Sequence, residues 1–104
     1  DHAKPKTFTI KVIAGNDRSK EPKVNKEEVK ACFEDDIVFE GVDTEDFVIL
    51  FEKGSPFEQN LRASKGKAKG KVKVDPKDKA EEFKYFVIVP GQPALDPRII
   101  ITPR

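Results

Sequence analysis

The sequence predicts an all-β domain, an antiparallel β-sandwich of about seven short strands. Apolar residues fall in blocks bounded by Gly, Pro, Asn and Asp, the punctuation of a strand-and-turn chain. The strongest blocks, "FVILF" and "FKYFVIV", are too short for stable helices and rich in β-branched and aromatic residues. The segment "TFTIKVIA" alternates apolar with polar, the period of a strand with one buried face.

The elements follow in order. "DHAKPK" is polar and carries a Pro, so residues 1–6 are expected to form a flexible arm before a single domain over 7–104. In "TFTIKVIA", Phe8, Ile10 and Val12 share one strand face, and "GNDRSKEPK" then turns. "VNKEEVKACF" supports two readings. Asn25 with Glu28 makes a capping box, and Val29, Cys32 and Phe33 suit a short helix over 26–33. Val29, Ala31 and Phe33 also alternate, which favours a strand, with "EDDIVFE" giving a turn and the next strand. Residues 47–51 form another strand. "EKGSPFEQNLRASKGKAKGK" reads as a long loop, and "KVKV" as a short strand through Val72 and Val74. After the turn "DPKDKAEE", residues 83–89 are the strongest strand; "PGQPALDP" turns and "RIIIT" closes the domain.

Composition narrows the functions. The chain has 104 residues, one domain's length, and 38% of them are charged, yet the formal net charge is only +1. Such balance gives no overall field for nucleic acid or acidic membranes. No apolar run approaches the ~20 residues of a membrane span. The absence of Met predicts a processed or excised segment. Cys32 is the single cysteine, so no internal disulfide forms, and His2 is the single histidine.

The order of these pieces over residues 8–102 resembles the cupredoxin fold, the Greek-key sandwich of the blue-copper proteins. "VNKEEVKACFEDDIVF" is similar to that family's strand, Gly-Asp-type turn and strand ending in an aromatic; Glu34 and Asp35 stand at the Gly-Asp and Phe39 at the aromatic. "FVILF" resembles the segment that opens with the first copper-binding histidine, and "EFKYFVIVPGQPAL" the last hairpin, which in copper-bearing members carries a Cys, a His and usually a Met. "LDPRIII" resembles the closing strand of members that have lost copper. The resemblance implies ligand positions at Phe47, Val87, about Pro90 and about Leu95, all apolar here. Type 1 copper needs two imidazoles and a thiolate in trigonal array, and one chain with a single His cannot assemble it. The expectation is a copper-free pocket turned into core, no cofactor and, by resemblance, a location outside the cytoplasm.

Other sites are weaker. His2 near the amino terminus is a candidate for a terminal or intersubunit Cu(II) site, the basis of an alternative copper-handling role. Cys32 has no His or dense positive cluster beside it in sequence to make a reactive thiolate, and suits a small buried hydrophobe. Glu34, Asp35, Asp36 and the acids to Asp46 lack the calcium-loop spacing and are expected in solvated turns. The lysines of "KGKAKGKVKVDPKDK" have neither the aromatics of a nucleic-acid surface nor a phosphate-loop ending, and alternating Lys suits edge protection. No nucleophile–base pair or small-molecule site is visible, so no enzyme is expected.

The strands carry one anomaly. A half-buried strand should alternate, yet three run apolar continuously. With Phe47, Ile49, Phe51, Phe83, Tyr85 and Val87 inward, Val48, Leu50, Phe86 and Ile88 point out, and Ile100 is expected to join them in one patch. Three occupants are open: the chain's own loop 52–71 through Phe57 and Leu61, a second copy, or another protein.

Overall fold

The computed structural model describes residues 4–15 and 20–103. The described residues form nine strands: β1 (Thr7–Ile13), β2 (Lys23–Val24), β3 (Glu28–Ala31), β4 (Asp36–Val42), β5 (Val48–Phe51), β6 (Leu61–Arg62), β7 (Lys67–Lys71), β8 (Glu81–Ile88) and β9 (Arg98–Ile101). They form a four-stranded sheet, ordered β2-β1-β4-β7, and a five-stranded sheet, ordered β3-β9-β8-β5-β6. Each sheet is mixed, with one parallel pair: β1 with β4 and β3 with β9. Alternation reports which face a side chain takes but carries no strand direction, so these pairs are invisible in sequence. Residues 28–31 are strand, as their alternation favours. Among the described residues no helix is long and apolar enough to cross a membrane.

The core lies between the sheets. Ile10 and Val12 of β1, Ile37 and Phe39 of β4, Ile49 of β5, Tyr85 and Val87 of β8, and Ile99 and Ile101 of β9 are fully buried. Removing each such side chain from water stabilises the fold by roughly 1.5–3 kcal/mol. Tyr85 bridges the layers: its ring centroid lies 5.6 Å from Phe39 in the opposite sheet and 5.5 Å from Phe51.

The segment 52–71 differs from its expected loop. Leu61 pairs with Ile49 across β6–β5, and Leu61 and Phe57 are both buried in the core. "KAKGK" is itself strand β7, whereas Val72 and Val74 lie beyond it. Its inward residues, Ala68 and Gly70, are small because the Phe57 ring occupies the space: a Cβ added at Gly70 would come within 2.6 Å of the ring. Lys67, Lys69 and Lys71 face outward on the edge strand of the four-stranded sheet, where lysines discourage further pairing.

The turn before β4 is tight. Glu34 adopts the left-handed conformation at φ 73°, the position where the resemblance places a glycine. Asp35, expected in solvent, is instead buried at 4% exposure. One carboxylate oxygen accepts the Lys6 N–H at 2.9 Å and the other accepts the Cys32 N–H at 2.8 Å. The Cys32 amide of the turn and the Lys6 amide at the entry of β1 both need an acceptor, which takes the carboxylate out of water.

Candidate functional site

The candidate face is the outer side of the five-stranded sheet, around β5 and β8. These strands pair antiparallel with Val48 opposite Ile88, Ile49 opposite Val87, Leu50 opposite Phe86 and Phe51 opposite Tyr85. Because side chains alternate, burying Ile49, Phe51, Tyr85 and Val87 forces Val48, Leu50, Phe86 and Ile88 outward. The result is a two-by-two apolar block, in which Leu50 is 38% exposed and the other three are half-buried.

Charges border the block. Arg62 lies opposite Val48 on β6, with its guanidinium 3.9 Å from Asp46. On the β9 side, Arg98 sits between Glu82 at 2.7 Å and Glu28 at 3.6 Å. Ile100 is half-buried on the same face, but it pairs with Glu82 and Lys30 rather than with Phe86 or Ile88. The row of Lys84, Arg98 and Glu28 therefore separates Ile100 from the block, and the expected single patch becomes two islands. The β8–β9 register decides this, and composition does not encode it. Phe57 and Leu61 enter the core, so these two side chains do not cover the block.

The copper-ligand positions implied by the resemblance have divided. Phe47 and Val87 are fully buried in the core. Leu95 packs against that core and bridges Val87 by backbone hydrogen bonds of 2.7 and 3.2 Å, while Pro90 is exposed. The same loop is fastened to the end of β1 by Gln92, whose side-chain amide donates to the Gly15 carbonyl and accepts its N–H, both at 3.0 Å. Cys32 lies elsewhere, just past β3, with Sγ 3.4 Å from Thr102 Oγ1. Among the described residues no group of three or more His, Cys, Asp or Glu is arranged to hold a metal ion. His2 lies outside the described residues.

The acids of β4 engage lysines across the sheet: Asp36 meets Lys71 at 3.4 Å and Glu40 meets Lys67 at 3.5 Å. Such pairs, each between an exposed lysine and a half-buried acid at the sheet surface, contribute about 0–1 kcal/mol apiece. An open depression is lined by Glu52, Lys53, Gly54, Glu82, Phe83 and Lys84. Its lining offers carboxylates and amines but no thiol, hydroxyl or imidazole. Glu52 and Lys84, which sequence reasoning did not single out, also flank the apolar block; their signal was their parity, two residues from Leu50 and Phe86 on the same face.

Neither a family model nor a curated protein matches the sequence. Solved structures do resemble the fold. A reduced Cu(I) form of an amicyanin variant at pH 4 matches with TM-score 0.60 and 8% identity, over 91% of this chain and 81% of that one. A Cu(I) form of another amicyanin variant gives TM-score 0.54 and 12% identity, over 89% and 81%. A chain of a heme-copper terminal oxidase dimer gives TM-score 0.53 and 15% identity, over 96% of this chain and 67% of that one. At these identities the likeness is one of fold: the chain is a cupredoxin-like β-sandwich. With a single histidine it lacks the ligand set of type 1 copper.

Proposed function

We propose that this domain is a non-enzymatic interaction or structural module, working without type 1 copper through the outer face of β5 and β8. One observation carries the reading: four large apolar side chains stand together on a solvent-facing sheet surface, with Phe57 and Leu61 diverted into the core. Apolar surface gathered in one place on a soluble domain commonly serves recognition. The match to a chain within a heme-copper terminal oxidase dimer adds a case of this fold inside a larger assembly. The same fold likeness suggests an extracytoplasmic location, which fractionation of source cells tests.

The experiment is binding of an apolar fluorescent dye to the native chain in dilute solution. Native dye binding is expected, and Leu50→Asp and Phe86→Asp are each expected to abolish it while the chain stays folded. Unfolding by Leu50→Asp would make the face part of the domain's own core and overturn the reading. Turnover of a small ester or phosphoester by the purified chain would overturn its non-enzymatic part.

A further inference from the structure

The geometry points to a second copy of this chain as the occupant of the β5–β8 face, docked about a two-fold axis that runs along the strands. The inference rests on the docking-face reading above and adds the partner and the register.

Charge selects the arrangement. Beyond Leu50 and Phe86 the next outward row is Glu52 and Lys84, held opposite each other by the Glu52 N–H donating to the Lys84 carbonyl at 3.0 Å. Both residues are exposed, and neither has an ion-pair partner among the described residues. A two-fold axis parallel to the strands, between β5 and β8, exchanges the two columns. Val48 then faces Ile88 of the second copy, Leu50 faces Phe86, and Glu52 faces Lys84. Each row is thereby matched to its complement, and the opposite charges meet twice. A two-fold axis across the strands would exchange rows instead and set Glu52 over Asp46, like against like. Favourable and unfavourable charge contacts therefore fix the register more than the apolar block does.

The packing mode is physically ordinary. Sheets meet face to face with strand directions within about 30° of one another, which a two-fold axis along the strands permits. Four side chains, of which Leu50 is 38% exposed, supply less than the ~800 Å² per partner of a standard interface. The dimer is therefore weak and concentration-dependent, with its polar rim contributing to specificity.

The test is sedimentation equilibrium of the purified chain from micromolar to millimolar concentration. The mass is expected to rise from 11.7 kDa toward twice that value. Glu52→Lys or Lys84→Glu alone should weaken the dimer about tenfold, and the double exchange should restore it. Both positions are exposed, and fluorescence of Tyr85, the single tyrosine, checks that each variant folds. A monomer at every concentration, a dimer indifferent to the single exchanges, or no recovery in the double variant would each overturn the inference. If the chain stays monomeric while Leu50-dependent dye binding persists, only the second copy is excluded and the docking face stands. If dye binding is absent in dilute solution as well, both fall.

Discussion

Asp35 and Lys6 are joined by a hydrogen bond of 2.9 Å from the Lys6 N–H to a carboxylate oxygen, which fastens the entry of β1 to the turn before β4. The Asp36 N–H donates back to the Lys6 carbonyl, also at 2.9 Å, and the second Asp35 oxygen holds Cys32. Replacing Asp35 by Ala leaves the Lys6 and Cys32 amides without their acceptor in a partly buried site. We expect Asp35→Ala to cost about 3 kcal/mol, with Asp35→Asn costing less because one acceptor survives. Urea midpoints at unchanged slope measure both.

Tyr85 presents the opposite case. Its ring is fully buried between Phe39 and Phe51, and its hydroxyl has no hydrogen-bond partner among the described residues. Tyr85→Phe removes an unsatisfied polar atom and keeps the ring. An increase of about 1 kcal/mol is expected. For a domain of this size that raises the melting temperature by roughly 4–8 °C. A decrease would mean that the hydroxyl has a partner in solution.

The same burial gives an alkaline limit. Loss of water around the phenol pushes the Tyr85 pKa above its ordinary 10.0. Below pH 10 both the folded and unfolded chains hold the proton, and the group adds no pH dependence. Above it the unfolded chain ionises first and binds fewer protons, so stability falls as pH rises toward the folded value. Phenolate absorbance should therefore appear together with unfolding, and Tyr85→Phe should remove this contribution to the alkaline loss.

Gly70 and Phe57 set a steric limit. With a Cβ at Gly70 lying 2.6–2.9 Å from three ring carbons, Gly70→Ala forces the ring or β7 to shift. A loss of about 1–3 kcal/mol is expected. A smaller residue at position 57 should recover part of it in the double variant, a coupling that a double-mutant cycle reads directly.

At Glu34 the backbone stands at φ 73°, a conformation that disfavours a residue with a Cβ. Glu34→Gly relieves that strain while giving the unfolded chain more freedom. The net is expected to be a stabilisation of about 0.5–1 kcal/mol, visible as a higher urea midpoint.

How much of this was legible in the sequence depends on where the information resides. The blocks 47–51 and 83–89 mark β5 and β8 because burial on one face and apolar residues on the other leave few alternatives to a strand. Parity then assigns Val48, Leu50, Phe86 and Ile88 to one side without any structure. Ile100 needed more, since its neighbours depend on pairing with Glu82, and one register step cannot be read from "RIIIT". Strand β7 was hidden for a related reason. Gly and Lys disfavour strands locally, and only the Phe57 ring explains why Gly70 belongs in one. Asp35 looked like any turn acid; its role comes from amides at Lys6 and Cys32 that only the fold brings together.

The parallel pairing of β3 with β9 reaches beyond the finished structure. In its sheet β3 is bonded only to β9, and every strand from β4 to β8 lies between them in the chain. On the ribosome, Val29 and its neighbours must therefore remain an unmatched edge until almost all of the domain has emerged. Synthesis of β3 and closure of its sheet are separated by about 70 of the 104 residues, the interval in which a nascent chain depends most on protection from its neighbours.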